Sequence, residues 1–339
     1  MSETFESAML TETPESSENS SISTIVHKTE AKPYKIVGRH DIYSVAFLVD
    51  GKHIVSGGKE GKIQRWRAED GTLKEVETPM DARSMINDMA VSLDGKQIVC
   101  GTDSGEVTVW DAESHKQAVT RWQAHSGAVG AVDISPDETR VATGSSDKTA
   151  CVWSLSTGQR LLGPLEHGDT AIAAKFSPDG RLIATATWQD SVQVYESLSG
   201  RLLVDVPIEV DSHHNQSLVW VSNSKNLFVL SFTGKINYLD ASTGTTLSSW
   251  PIHSGSPTRC IALASNGTFI AASASSSVSF WDTTTHKQIG SIIKHSHQVV
   301  SMAISANYDL VIGGFKGITL WNIHDVLPSS HLKGVSALA

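Results

Sequence analysis

The stretch VATGSSDKTACVW, residues 141–153, decides the fold of this chain. It contains Thr143, Asp147 and Trp153, and His125 lies a short way upstream. A hydroxyl, a histidine and a carboxylate are the residue types of a nucleophile, its general base and the group that orients the base. The same types also build structural hydrogen-bond networks, so the surrounding sequence has to distinguish the two interpretations.

The pattern of this stretch recurs along the chain. In its fullest form it has a histidine, an alternating apolar run, a tight turn, a second run that ends in small residues, another turn, and a third run that ends in a large residue. The end points are spaced by 44, 43, 42, 44, 42 and 40 residues: Trp66, Trp110, Trp153, Tyr195, Leu239, Trp281 and Trp321. That regularity indicates a repeat architecture.

The runs within each repeat predict β-strands. Segments such as HIVSG (53–57) and RVATG (140–144) are short and rich in β-branched residues, and turns such as VDGK (49–52) permit tight hairpins. Sheets of this size cannot bury both faces alone, so successive sheets must pack against one another around a closed ring. The sequence therefore predicts an all-β fold, a seven-bladed β-propeller of four-stranded antiparallel sheets.

Two repeats end in a tryptophan–aspartate dipeptide, Trp110-Asp111 and Trp281-Asp282. With the repeat length, this makes the chain resemble the WD-repeat β-propeller family over residues 33–325. The resemblance implies that an N-terminal strand closes the ring, with residues 33–37 as the outer strand of the seventh blade. Residues 1–32 are predicted to be a disordered tail rich in Ser, Thr and Glu, and residues 326–339 a short C-terminal tail.

The resemblance also implies a role for His125, Thr143, Asp147 and Trp153. In the family, a histidine before the first strand, a Ser or Thr in the second, an Asp in the next turn and the Trp of the third form a hydrogen-bonded network. The matching positions are His125, Thr143, Asp147 and Trp153 in the third repeat, and His40, Ser56 and Trp66 in the first, where Glu60 replaces the Asp. A hydrolase would need an exposed hydroxyl, an oxyanion hole and a pocket, which no motif marks. We therefore predict a structural network.

The family's usual contact positions can be carried over to this chain by register. They lie on the narrower face of the propeller, formed by the loops before the first strands and between the second and third strands. Large apolar groups on an exposed face favour protein binding. Trp188 has an alternative, in which its indole folds back to cap its own blade. The candidate partner-binding residues are Tyr43, Met85, Ile172, Trp188, Phe232, Arg259 and Phe315.

Composition narrows the classes of partner. The net charge is −9 and no cluster of Lys and Arg appears, so nucleic acid is not an expected partner. No apolar run is long enough to span a bilayer, and the N-terminus has no secretory pattern. Cys100, Cys151 and Cys260 lie far apart in apolar runs, which favours reduced thiols in the cytoplasm or nucleus. No histidine or cysteine spacing indicates a metal, and we expect no cofactor.

These observations predict a non-catalytic scaffold or adaptor, a monomeric propeller that binds a protein or peptide on its narrower face. The first alternative is a subunit of a larger obligate complex. A more distant alternative is a propeller hydrolase that uses the central channel, which would bring several carboxylates or histidines to the axis.

Overall fold

Repeats one to six each fold as one sheet of four antiparallel strands, because their apolar runs alternate and their turns reverse the chain, and the seventh repeat supplies three strands of the last sheet. The computed structural model describes residues 36–37, 40–69, 72–188, 191–208, 218–231, 234–252, 258–307 and 309–332, with the side chains of all except 36–37 and 258–259. The chain divides into residues 1–30 and 31–339, and the first unit lies outside the described residues. The described strands form seven four-stranded sheets, which confirms the predicted fold class.

A short strand precedes the first blade, and blades one to three then follow in chain order. Their strands are β1 (Ile36–Val37); β2 (Ile42–Phe47), β3 (His53–Gly58), β4 (Lys62–Glu69) and β5 (Thr72–Asp81) in blade one; β6 (Ile86–Val91), β7 (Gln97–Thr102), β8 (Glu106–Asp111) and β9 (Gln117–Gln123) in blade two; and β10 (Val129–Ile134), β11 (Arg140–Ser145), β12 (Thr149–Ser154) and β13 (Arg160–Glu166) in blade three.

Blades four to seven repeat the arrangement. Their strands are β14 (Ala171–Phe176), β15 (Leu182–Thr187), β16 (Ser191–Glu196) and β17 (Leu202–Pro207) in blade four; β18 (Leu218–Trp220), β19 (Asn226–Leu230), β20 (Lys235–Asp240) and β21 (Thr246–Pro251) in blade five; β22 (Thr258–Leu263), β23 (Phe269–Ala274), β24 (Ser277–Asp282) and β25 (Gln288–Lys294) in blade six; and β26 (Val299–Ile304), β27 (Asp309–Gly314) and β28 (Gly317–Asn322) in blade seven.

The seventh blade takes its outer strand from the start of the chain. β1 pairs antiparallel with β28, placing Ile36 opposite Thr319 and Val37 opposite Ile318. The strand order of this sheet is β1-β28-β27-β26. The predicted closure of the ring by an N-terminal strand is thereby confirmed, and β28 is not left as an edge.

The apolar core is divided among the junctions between neighbouring blades. Among the described residues, each of the seven junctions has its own buried cluster. Between blades two and three, for example, Val109 packs with Val132 and Trp153. Small residues at the ends of the second strands allow this approach, since a Cβ added to Gly101 would lie 2.6 Å from Cγ1 of Val129. The glycines that end the second runs are therefore a packing requirement between blades.

The chain stays packed beyond its last strand. Two 3-10 turns follow β28, at Ile323–Asp325 and Ser329–His331. Val326 and Leu327 are buried in the cluster between blades six and seven, and His331 Nε2 lies 3.1 Å from Asp282 Oδ2 of blade six. The packed segment thus extends past residue 325, the predicted end of the propeller.

Antiparallel strands give the propeller two kinds of face. The loops that lead into the first strands lie at the same ends of the strands as the turns between second and third strands. We call this side the entry face. The turns between first and second strands, and between third and fourth strands, form the opposite face.

Candidate functional site

In blade three, the side chains of His125, Thr143, Asp147 and Trp153 form one hydrogen-bonded network. His125 Nδ1 lies 3.1 Å from Asp147 Oδ2, and His125 Nε2 lies 2.7 Å from Thr143 Oγ1. Trp153 Nε1 donates to Thr143 Oγ1 at 2.9 Å. A carboxylate can only accept, so the imidazole proton belongs on Nδ1 and the Thr143 hydroxyl donates to Nε2. Every polar group of the quartet then has a partner.

Burial shows what this network can do chemically. Thr143 is fully buried and His125 is only 4% exposed. Burial lowers the pKa of His125, against the opposing effect of Asp147. Burial therefore favours the neutral imidazole, and its Nε2 and the Thr143 hydroxyl are paired with each other beneath the surface. This geometry fastens the loop before β10 to β11, to β12 and to the turn between them, and gives a substrate no access to the hydroxyl.

Blade one differs from the prediction. Trp66 Nε1 donates to Ser56 Oγ at 2.8 Å, as expected. His40, however, is 61% exposed and its Nδ1 lies 3.3 Å from Glu60 Oε1, so it does not join the buried pair. The glutamate at the acid position extends one carbon farther than an aspartate and pairs with the imidazole outside the blade. The prediction that His40 belongs to the buried network is corrected accordingly.

Several blades replace the missing hydroxyl with one from the third strand, which the sequence analysis did not find. Trp110 Nε1 donates to Thr108 Oγ1 at 3.0 Å, and Trp281 Nε1 donates to Ser279 Oγ at 2.9 Å. In blade seven, Thr319 Oγ1 lies 2.9 Å from His295 Nε2. A signal was present: each hydroxyl stands two residues before the tryptophan, on the same side of its strand.

In blade four, a side-chain amide on the third strand is the partner of both the histidine and the aromatic residue. His167 Nδ1 lies 2.5 Å from Gln193 Oε1, and Tyr195 donates its hydroxyl to the same oxygen at 2.7 Å. Gln193 stands opposite Thr185 on the neighbouring strand. The polar partner has therefore moved to the third strand here too, as in blades two, six and seven.

The first strands bring carboxylates close to the central channel. Asp88 accepts from Ser44 Oγ at 3.1 Å and from Val132 N at 3.0 Å, which links blades one, two and three. Asp133 accepts from Phe176 N at 2.8 Å and lies 3.3 Å from Lys175 Nζ. Each carboxylate is engaged by a neighbouring blade, an arrangement that ties blades together rather than activating a nucleophile. Among the described residues, no three His, Cys, Asp or Glu side chains cluster as metal ligands.

The buried histidines give the fold a pH dependence. Burial lowers the pKa of His125 and of His295 below the ordinary value of 6.5, while an unfolded chain binds protons at that value. The unfolded state then holds more protons, so stability is expected to fall as pH drops below 6.5, by at most about 1.4 kcal/mol per pH unit for each histidine. Urea unfolding between pH 7.5 and 5.5 measures this, and H125N/H295N is expected to flatten the slope. An equal slope in the variant would contradict the assignment.

Two of the predicted partner-binding residues meet on the entry face. The rings of Tyr43 and Phe315, from blades one and seven, lie edge to face with centroids 6.5 Å apart. Both side chains are half buried. The pKa of Tyr43 is raised, mainly by burial and also by the carboxylates of Asp41 and Asp103. The pair forms a partly exposed aromatic surface where the ring closes.

The other predicted contacts are placed differently. Trp188 and Met85 are half buried, and Trp188 packs against the cluster between blades four and five. Ile172 is only 6% exposed and belongs to that cluster, so it cannot provide the exposed apolar surface that was predicted. Its position in the first strand turns it toward blade five. Phe232 and the side chain of Arg259 lie outside the described part of the chain.

Comparison with known proteins agrees with this architecture. The model of the WD domain, G-beta repeat, matches residues 31–67, 75–111 and 116–154. The model of the anaphase-promoting complex subunit 4 WD40 domain matches residues 174–266. With its seven blades, the chain belongs to the WD-repeat β-propeller family. The described residues include no helix with the length and hydropathy of a membrane span.

Curated relatives match parts of the chain. It is 32% identical over 114 residues to the small ribosomal subunit protein RACK1y of Oryza sativa subsp. japonica, covering 32% of this chain and 33% of the relative. It is 35% identical over 107 residues to the guanine nucleotide-binding protein subunit beta of Arabidopsis thaliana, covering 30% and 28%. Identity to eukaryotic translation initiation factor 3 subunit I of Pyricularia oryzae is 29% over 150 residues, covering 39% and 41%. The matches thus span well under half of these relatives.

Proposed function

We propose that the protein is a non-catalytic interaction platform that binds a protein or peptide partner on its entry face. The observation that carries the proposal is the Tyr43–Phe315 pair, two half-buried rings in edge-to-face contact at a blade junction. Aromatic side chains that are already ordered lose little conformational entropy on binding, and they are enriched at the energetic centres of protein interfaces. The His125–Thr143 network supports the same proposal, because its polar groups make hydrogen bonds that stabilise blade three.

Carboxylates border the aromatic pair, and Trp188 adds a separate apolar position on the same face. Asp41 and Asp103 lie close enough to Tyr43 to raise its pKa. Trp188 is half buried on blade four, directly after β15, at the end of that strand that lies on the entry face. The aromatic pair and its carboxylates provide an apolar contact with a polar rim, the usual anatomy of a protein-binding surface.

The experiment compares capture of partners by the intact tagged chain and by Y43A/F315A, in extract of its own cells. Loss of two anchors of this kind is expected to reduce recovery of the specific partner about tenfold or more, with the melting temperature shifted by only a few degrees. Leu198→Ala is the matched control, because Leu198 is 81% exposed on the opposite face. Unchanged recovery with Y43A/F315A would overturn the proposal.

Trp188→Ala is the second arm of that experiment. If the indole is an anchor, recovery falls while the melting temperature stays nearly constant. If it instead caps its own blade, the variant loses stability through the cluster between blades four and five. The two outcomes separate the alternatives left open by the sequence.

A subunit role in a larger complex is the second candidate. The names of three relatives describe a ribosomal subunit protein, a guanine nucleotide-binding protein subunit and an initiation factor subunit. Gel filtration of the native protein from its own cells distinguishes the two, since an obligate subunit elutes only at the size of the complex. Under either candidate the protein acts in the cytoplasm or nucleus, where its buried thiols at Cys100, Cys151 and Cys260 stay reduced.

A further inference from the structure

The turns between the first and second strands can be compared from one blade to the next. An acid or amide side chain caps these turns by accepting backbone N–H groups. Asp50 Oδ1 accepts from Lys52 N at 2.9 Å, and Asn223 Oδ1 accepts from Lys225 N at 2.9 Å. An aspartate and an asparagine therefore satisfy the turn equally.

The choice between them is not evenly distributed around the ring. The position is aspartate in the first four blades and asparagine in the last three: Asp50, Asp94, Asp137, Asp179, Asn223, Asn266 and Asn307. Because the amide caps as well as the acid, the negative charge of the first four turns is not required by the turn. It is a property of the surface they form.

The residue before this position shows the same division. It is large and apolar in the first four blades and small in the others: Val49, Leu93, Pro136, Pro178, Ser222, Ser265 and Ala306. Proline fixes φ for a turn, but valine and leucine offer no such benefit. Val49 is 62% exposed and Leu93 is 69% exposed. Both apolar side chains are therefore largely exposed to solvent.

The turns of blades one and two are neighbours. A Cβ added to Gly95 would lie 3.2 Å from the Cβ of Val49. A groove runs between these turns, and its lining includes Val49 and the carboxylates of Asp50, Asp94 and Glu113. Leu93 directly precedes Asp94 in the turn of blade two.

Two cations also line the groove, and both have partners. Arg65 Nη1 lies 3.3 Å from Glu77 Oε2 and donates to Ala112 O at 3.2 Å. Lys96 Nζ lies 3.3 Å from Asp94 Oδ2. The groove thus has three carboxylates and two cations: Asp50 also pairs with His53 Nδ1, and Arg65 is shared with Glu77. A positively charged side chain is the complement of this surface.

We propose that the groove between blades one and two on the opposite face, with Val49 and Leu93 at its rim, is a second docking surface for a segment of a protein partner. The segment has an apolar side chain that packs on Val49 and Leu93, and a neighbouring Lys or Arg that faces the carboxylates. This surface is separate from the entry face, so the platform can hold two partners at once.

The test uses the full chain and three synthetic peptides of equal length, which alternate leucine with arginine, leucine with glutamate, and serine with arginine. Binding is measured by fluorescence anisotropy at physiological ionic strength. Only the leucine–arginine peptide is expected to bind appreciably. V49S/L93S is expected to weaken it about tenfold, because burial of the two side chains is lost. D50N/D94N is expected to weaken it severalfold and to make it less sensitive to salt.

The variants keep the turns intact, because serine and asparagine occupy the same positions in blades five and six. Leu198→Ser and Y43A/F315A are the controls, and both are expected to bind the peptide like the wild type, so failure here is distinguishable from failure at the entry face. Equal binding of the three peptides, binding insensitive to V49S/L93S, or self-association of the chain through this groove would each overturn the proposal.

Discussion

A chain that lacks residues 1–38 is expected to aggregate, whereas a chain that lacks residues 1–25 is expected to remain soluble and monomeric. The longer deletion removes β1 and leaves β28 as the edge of the seventh blade. Ile318 and Leu320 of that strand are buried in the cluster between blades seven and one. An unpaired strand with apolar neighbours is a template for pairing with another chain.

Gel filtration with light scattering measures the outcome, together with the soluble fraction after expression. The replacement of both Ile36 and Val37 by proline is a matched variant, because proline removes the backbone N–H groups that a strand donates. It is expected to behave like the longer deletion while the whole N-terminal segment is retained. If the two deletions behave alike, closure by β1 is not what protects this edge.

The blade number was accessible from sequence because it depends on local patterns, whereas closure by an N-terminal strand was implied by the family resemblance. Alternation and turn residues are present within each repeat, the end points recur with a regular period, and each repeat supplies three or four strands of one sheet. The complete network was accessible only in blade three, where all four of its residues are present, and in blade one only its Ser56–Trp66 pair was accessible. Thr108, Ser279 and Thr319 escaped prediction because the hydroxyl moves across the sheet to the position opposite, as Cys100↔Thr108 shows.

The exposure of individual side chains was harder to predict from the sequence, because it depends on packing between repeats. The burial of Ile172 follows from the approach of blade five, and the exposure of His40 follows from its pairing with Glu60. Tyr43 and Phe315 were each predicted as contact residues, but their meeting requires the ring to close between blades seven and one. No pattern within a single repeat contains that information.

Replacing Thr143 by valine is expected to lower the free energy of unfolding by about 2–5 kcal/mol. The variant keeps the shape of the side chain but leaves both His125 Nε2 and Trp153 Nε1 buried without a partner. Each unpaired group costs about 1–3 kcal/mol. In the described structure, Trp321 Nε1 has no hydrogen-bond partner, so one such loss is tolerated by the fold. Thr143→Val leaves two such groups unpaired in one blade, so its cost in stability is expected to be larger.

Urea unfolding measures the change, and Thr143→Ser is the matched control. Serine keeps the hydroxyl, as Ser56 does in blade one, and is expected to cost less than about 1.5 kcal/mol for the lost methyl group. A catalytic hydroxyl would behave differently, since its removal would leave stability unchanged and abolish a reaction. Equal stability of the valine and serine variants would therefore return His125 and Thr143 to the list of candidate reactive groups, whereas a large difference assigns them to the fold.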